Sequence, residues 1–350
     1  MIDADPPDSG PGADPRGGLC LLTGATGFIG GRLAQRLAGD GYRVRCLARS
    51  SSDTQRLQAL GVEIAVGDLT SARSLADAAA GARQVFHCGA LVSDWATVAE
   101  IRRVNVDGTR DLLAASRDAG VERFIHFSTT DTYGHPGGRA VDESHAPGRF
   151  ANWYAQTKLA AEAVVREAAQ GGALETVILR PATVYGPGSR DVVGEVARAL
   201  RNGSMLLVDH GRAVAGLCYV DNLIDAAVLA VRHDAAPGHA FNVSDGLEVT
   251  WKEFTDDLAD GLGCAHARWS APYAVASCLG VTLECGYRAL RKATHLSTPP
   301  LLSRQAVQVL GRDQDFSNRK VRELLGWEPR VDYATGLEAT VAWLRDEYLT

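Results

Sequence analysis

Between Leu19 and Arg180 six short apolar runs alternate with stretches whose apolar residues recur at helical spacing, and few folds accommodate that rhythm. The runs are LCLLT, RVRCLA, VEIAV, QVFH, RFIHFS and TVILR. Between them stand GGRLAQRLAGD, SARSLADAAAG, VNVDGTRDLLAASRDAG and NWYAQTKLAAEAVVREAAQ. Strands this apolar are buried on both faces, and the intervening helices supply the cover. The pattern therefore predicts a doubly wound parallel α/β sheet. After Pro181 the rhythm loosens. Gly and Pro become frequent, as in YGPGSRD, and the strand-like runs MLLV, GLCYV and AFNV stand isolated. Residues 18–180 are thus expected to form the main domain. Residues 181–350 are expected to form a smaller, irregular α/β region with parts returning to the sheet.

Composition narrows the function classes. A formal charge of −6 over 350 residues offers no basic surface for nucleic acid. The seven cysteines lack any CxxC spacing and read as reduced, mostly buried thiols, so no metal site is expected. Residues 1–17 hold four Asp and four Pro without an apolar run, which reads as a disordered tail and not a signal peptide. The apolar segment Ala271 to Leu283, at 13 residues, is too short to span a bilayer. A soluble, cytoplasmic protein is expected.

LCLLTGATGFIGGRLAQRL places Gly24, Gly27 and Gly30 between the first strand and the first helix. Glycines there permit a tight turn, close approach of backbone to a pyrophosphate, and tight packing of helix on strand. The helix start adds unpaired N–H groups and a positive dipole end, so the motif reads as a dinucleotide cradle on a Rossmann-type sheet. At the end of the second strand an acidic residue would favour NAD and a basic one NADP. The chain reads Ala48-Arg49-Ser50-Ser51, with no carboxylate. Arg49, with the two serines beside it, favours NADP over NAD.

Tyr154 and Lys158 are four apart on a helix that Asn152 would cap, so they share one face. An ammonium near a phenol, together with the positive ring of an oxidised nicotinamide, stabilises the phenolate and makes Tyr154 a usable general acid or base near neutral pH.

The GxxGxxG turn in its TGATGFIG form resembles the extended branch of the short-chain dehydrogenase/reductase superfamily. The resemblance covers Leu19 to about Trp343 and includes GDL (Gly67–Leu69), NVDGT (Asn105–Thr109), YAQTK (Tyr154–Lys158) and RPATVYGPG (Arg180–Gly188). It implies that Gly24, Thr26, Gly27, Phe28, Ile29, Gly30, Arg49, Asp68, Leu69, Gly89, Ala90, Tyr154, Lys158, Pro181 and Val184 border the cofactor. It implies a catalytic hydroxyl at Thr129, four residues before the tyrosine of YG, with Ser128 as the substitute. Asn105 would order the site. A homodimer is implied through the helices around Asn105–Ser116 and Trp153–Ala169. Asp131, two before that tyrosine, matches an acidic residue that moves protons in nucleotide-sugar dehydratases, but an Asp there also shapes turns. His87 reads as a packed histidine, and His135 and His145 as solvated loop residues without zinc.

Two substrate readings stay open. One is an oxidoreductase of an apolar alcohol or ketone, resembling 3β-hydroxysteroid and sterol dehydrogenases. Its features are ALVSDW (Ala90–Trp95) and the apolar stretch from Ala271, which would roof a pocket, lie on a membrane surface or be core. The alternative is a nucleotide-sugar epimerase, dehydratase or decarboxylase that retains NAD, with Asp131 in proton transfer and Arg212 meeting a diphosphate.

Overall fold

Each of the six apolar runs is a strand: β1 (Leu19–Thr23), β2 (Arg43–Ala48), β3 (Glu63–Val66), β4 (Ala82–His87), β5 (Arg123–Phe127) and β6 (Glu175–Pro181). The structure, a computed structural model, describes residues 18–93, 96–148, 153–293 and 303–349. The expected 1–17 tail, Asp94 and Trp95 of ALVSDW, and the capping Asn152 lie outside the described residues.

Later residues supply β7 (Thr183–Tyr185), β8 (Leu206–Val208), β9 (Leu217–Tyr219), β10 (Ala240–Val243) and β11 (Trp269–Ala271). The main sheet has seven parallel strands in the order β10-β6-β5-β4-β1-β2-β3. The run AFNV is therefore not isolated: as β10 it pairs with β6 and completes the sheet. MLLV and GLCYV pair with β11 and β7, two short runs too brief to announce themselves in the sequence.

Two apolar layers enclose the sheet. On one face Leu33, Ala34 and Leu37 of helix Phe28–Gly39 join Leu223, Ala226 and Ala227 of helix Val220–Arg232. On the other, Leu75, Leu112, Leu113, Val164 and Val165 come from helices Ala72–Ala79, Gly108–Asp118 and Trp153–Gln170. Each such Leu or Val contributes about 1.5–3 kcal/mol by leaving water, which fixes the helices against the strands. The helical stretch that ends in helix Gly108–Asp118 begins earlier than its sequence pattern suggested, at Val98. Thr97 caps Val98–Arg102 with a reciprocal bond to Glu100, and a π-helical turn, Arg103–Asp107, joins the two.

Strand order reverses between β1 and β4, so their outgoing connections diverge and open a crevice at the carboxyl ends. The apolar stretch from Ala271 lies mostly within helix Tyr273–Ala293. It buries Ala276 yet leaves Val275 and Leu279 exposed, so it is only partly core. Among the described residues no helix is long and apolar enough to cross a membrane.

Candidate functional site

The glycine turn opens into the crevice, and two of its glycines have no room for a side chain. Gly24 has φ +73°, and a Cβ there would stand 2.6 Å from the Gly89 nitrogen. A Cβ on Gly30 would stand 2.2 Å from the Gly24 carbonyl oxygen. Gly27 is less cramped, since a Cβ there would stand 3.3 Å from the Gly24 carbonyl oxygen, a tight contact and not a clash. It caps the helix with extended backbone and no side-chain acceptor. The first-turn N–H groups of Phe28, Ile29 and Gly30 therefore have no intrahelical acceptor, a donor set that suits a pyrophosphate. Thr26 is exposed beside them, and Phe28 and Ile29 are half-buried.

At the end of β2, Arg49 is exposed together with Ser50 and Ser51. The Asp68 carboxylate, past β3, accepts from the Thr70 N–H at 2.8 Å and the Thr70 hydroxyl at 2.7 Å. Those bonds hold it below the usual carboxylate range, with smaller help from Arg49 and Arg103. Leu69 wedges between Gly89 and Gly108: Cβ atoms on those glycines would stand 2.9 Å from Leu69 Cδ1 and 2.8 Å from its carbonyl oxygen. Ala90 is half-buried next to Gly89.

The end of β4 is organised by a buried chain of hydrogen bonds. Thr23 Oγ1 accepts from the Gly89 N–H at 3.1 Å and donates to His87 Nδ1 at 2.7 Å, the acceptor nitrogen of a neutral ring whose Nε2 is the donor. The Thr109 hydroxyl donates to the Asn105 carbonyl at 2.7 Å and accepts from His87 Nε2 at 2.9 Å. Burial, reinforced by Lys158, pushes His87 down to about 3, so it stays neutral. His87 is thus a packed histidine that ties β4 to β1 and to helix Gly108–Asp118. Asn105, in the π-helical turn, accepts from the Leu91 N–H at 2.7 Å and donates to the Leu91 carbonyl and to Thr157 Oγ1. It joins the segment after Gly89 to the helix that carries Tyr154.

On that helix Tyr154 is half-buried and Lys158 fully buried. The Lys158 ammonium donates to the Phe127 carbonyl at the end of β5. This brings the lysine under the hydroxyl turn, whose Thr129 Oγ1 accepts from the Asp131 N–H at 3.1 Å. Burial lowers Lys158 to about 8, against the opposing pull of Glu162 and Cys88. Tyr154 is shifted in the opposite sense by the chain's own groups. Burial first, and the Asp131 charge second, push its phenol above the usual tyrosine range. The chain's own groups therefore favour the protonated phenol.

Ser128 turns away from the crevice and donates to Glu162 Oε1 at 2.6 Å. Sequence reasoning missed Glu162, although it follows Tyr154 and Lys158 at the same four-residue interval. Its carboxylate is fully buried and takes both arms of Arg180 (2.8 and 2.6 Å) and one of Arg166 (2.9 Å). Burial would raise it, but Arg180, Ser128 and Arg166 outweigh that and hold it low. Arg180 also donates to Tyr133 Oη at 2.7 Å, and Tyr133 donates to Asn242 of β10. Pro181 ends β6, buried, and Val184 is half-buried in β7.

Asp131 lies 3.4 Å from His135, whose ring is buried and bonded to Gln314 and Gln305, so His135 is not a solvated loop residue. The DESHAP segment supplies its own tie, from Glu143 to the Asn242 N–H. His145 and Arg212 are exposed. Among the described residues no group of three His, Cys, Asp or Glu could hold a metal ion.

Known proteins place the chain in a family. The NAD dependent epimerase/dehydratase family model matches residues 20–244. The chain is 34% identical over 323 residues to a 4-hydroxy-2-methyl-3-oxo-4-farnesyl-3,4-dihydroquinoline-1-oxide ketoreductase of Stigmatella aurantiaca, covering 91% of this chain and 94% of that one. It is 32% identical over 325 residues to a 2-alkyl-3-oxoalkanoate reductase of Stenotrophomonas maltophilia, covering 91% and 96%. Among solved structures it is similar to MoeE5 in complex with UDP-glucose and NAD, with a TM-score of 0.72, 26% identity and 94% and 99% of the two chains covered. A chain with this cradle, sheet and family match belongs to the NAD-dependent epimerase/dehydratase family and is an enzyme of the extended short-chain dehydrogenase/reductase type.

Proposed function

We propose that this enzyme reduces a ketone on an apolar substrate to a secondary alcohol, and runs the reverse oxidation, with NADP preferred over NAD. The cradle of Gly24, Gly27 and Gly30 would hold the pyrophosphate, Arg49 the 2′-phosphate, Asp68 and Leu69 the adenine, and Gly89, Ala90, Pro181 and Val184 the nicotinamide end. The bound nicotinamide would supply or accept the hydride. Thr129, its lone pair engaged by the Asp131 N–H, keeps its O–H to donate to the substrate oxygen and hold it against Tyr154. In reduction Tyr154 gives its proton to that oxygen as the carbonyl carbon gains the hydride; in oxidation it takes the proton back. Lys158 holds positive charge behind the phenol, and Asn105 keeps the segment after Gly89 registered on the same helix.

One observation carries the reading. The Lys158 bond to the Phe127 carbonyl joins the Tyr154 helix to the strand that presents Thr129, so acid and anchor share one support. The protonated phenol is the form that can give a proton to the substrate oxygen. The two ketone reductases similar over nine-tenths of the chain point the same way. NADP rests on an exposed Arg49 with no carboxylate at the end of β2, and on an Asp68 already engaged by Thr70. The region 181–350 would shape the substrate side. A homodimer through segments 105–116 and 153–169, in the reducing cytoplasm, completes the proposal.

The decisive experiment follows NADPH and NADH oxidation by purified enzyme with ethyl 2-methyl-3-oxobutanoate and longer 2-alkyl-3-oxo esters. NADPH-dependent turnover that rises with alkyl length supports the proposal. Tightly retained NAD with no net oxidation of added NADPH overturns it in favour of the second reading, a nucleotide-sugar epimerase or dehydratase. Asp131 beside Tyr154 is the feature that favours that second reading.

A further inference from the structure

Five of the nine large apolar side chains that stand exposed among the described residues fall between positions 269 and 283: Trp269, Val275, Leu279, Val281 and Leu283. All but Trp269 lie on helix Tyr273–Ala293, which the rest of the chain holds by one narrow stripe. Ala276 packs with Val208 and Val307, Gly280 sits against Val307 and Ser303, and Glu284 takes two guanidinium bonds from Arg304 at 3.1 Å. The opposite side faces outward, with Trp269 63% and Val275 58% exposed. It carries no charge. From Trp269 to Tyr287 the one charged side chain is the buried Glu284. A helix side left to water ordinarily shows charged groups, so about four turns without one mark a face made to be covered.

Basic residues frame that face at both ends, in a chain whose formal charge is −6. Arg268, next to Trp269, is exposed. The His210 N–H donates to Ser270 Oγ at 2.8 Å, which sets the Asp209–Arg212 turn, with Arg212 exposed, beside the same end. The acids there are engaged: Asp209 accepts from the Tyr273 N–H, and Asp256 and Asp260 are paired with Lys252 and His266. At the far end the helix sequence closes in RALRK, Arg288 to Lys292. A second copy laid on this face would set basic end against basic end in either orientation, which works against self-association. A bilayer of anionic lipid matches every part: acyl chains take the apolar side chains, the boundary takes a tryptophan, and the headgroups take the cations.

We propose that the outward face of helix Tyr273–Ala293, together with Trp269, docks on an anionic lipid surface. The helix lies along that surface and does not cross it. Its first residue is tied to the catalytic turn. Tyr273 Oη accepts from Arg312 Nε at 3.1 Å, and Arg312 Nη1 donates to the carbonyl of His135, which follows Gly134. The docking stands without the proposed reaction; its use rests on that reading, because an apolar ketone dissolves in the same membrane and docking brings the enzyme to it.

The full chain is sedimented with vesicles of phosphatidylcholine alone or with about 30% phosphatidylglycerol, at about 0.1 M and about 0.5 M salt. Binding is expected to be at least about tenfold tighter with phosphatidylglycerol and to weaken several-fold at the higher salt. Trp269 emission should move to the blue on binding, read as the difference between wild type and Trp269→Phe. Val275→Asn combined with Leu279→Asn changes exposed positions only, and should bind these vesicles at least about tenfold more weakly. Without vesicles its kcat/KM with NADPH and ethyl 2-methyl-3-oxobutanoate should stay within about twofold of wild type. No sedimentation, binding indifferent to phosphatidylglycerol, or equal binding by the double variant overturns the proposal. So does a wild-type oligomer that the double variant loses, since a second copy would then cover the face. A vesicle-free loss of turnover confined to longer 2-alkyl-3-oxo esters overturns it too, by putting the substrate's tail there. An enzyme that binds the vesicles yet reduces no ketone defeats the reaction reading and leaves the docking in place.

Discussion

Arg180→Met removes the guanidinium that makes two bonds to the fully buried Glu162 and one to Tyr133. Breaking one side of a buried pair costs about 3–5 kcal/mol, because the surviving charge stays desolvated. Arg166 and Ser128 still hold Glu162, so the loss belongs at the lower end, about 3 kcal/mol. For 350 residues at about 2.1 cal/mol/K each, the unfolding entropy is about 0.7 kcal/mol/K, so the midpoint falls by about 4 °C. Glu162→Gln destabilises comparably, since Arg180 is then the uncompensated charge. The double variant should cost at least 1 kcal/mol less than the two singles added, because the pair is one interaction. The same pair reaches the active site. Glu162 supports the Lys158 ammonium against burial. Glu162→Gln therefore drops Lys158 further below about 8 and moves the alkaline limb of kcat/KM to lower pH. Arg180→Met leaves the Glu162 charge less neutralised and moves that limb upward. Differential scanning calorimetry and pH–rate profiles on the four proteins read both effects. Additive stabilities, or limbs that shift in the same direction, would refute the reasoning.

Gly30→Ala would force a Cβ to within 2.2 Å of the Gly24 oxygen, so the cradle must open; NADPH affinity by fluorescence titration should fall at least about tenfold while the chain remains folded. Tyr154→Phe removes the proton donor and should lower kcat by about 10²–10⁴ with little change in cofactor Kd. Arg49→Ala should weaken NADPH binding by about tenfold and leave NADH nearly unaffected; equal losses for both would remove the 2′-phosphate role. Lys158→Met tests linkage. The buried ammonium titrates near 8 in the fold and near 10.5 unfolded, so between those values the unfolded chain binds more protons and wild-type stability rises with pH. The variant lacks this gain. Its stability relative to wild type should fall by up to about 3 kcal/mol from pH 7.5 to 10.5 in denaturant titrations.

The sheet was legible because each strand is a run of residues with one fate. LCLLT and RFIHF are buried at every position, which no surface segment tolerates. The cradle was legible because glycine is the one residue whose absence of side chain can be read directly. AFNV carried the same apolar signature as the other runs, but its partner β6 lies about 60 residues upstream, and pairing over that distance leaves no local mark. The site divides in the same way. Tyr154, Lys158 and Thr129 stand at fixed intervals along the chain. Glu162 gave no signal of its own, because Arg180, which pairs with its charge, arrives from strand β6. His135 looked like part of a polar loop, since Gln305 and Gln314 come from 170 or more positions away.

The late arrival of β10 has a consequence for synthesis. When the first six strands have left the ribosome, β6 still shows an open edge and Arg123 lacks the carbonyls of Ala230, Val231 and His233 that will receive its guanidinium. Tyr133 is likewise without Asn242. For the time taken to translate about 60 further residues, several seconds, the nascent chain displays a bare strand beside buried-type side chains. That interval is when a chaperone has most to shield, and chains released early between Pro181 and Ala240 are the ones expected to aggregate. A pause placed by slow codons shortly after Val243 would let the sheet close before the C-terminal helices emerge.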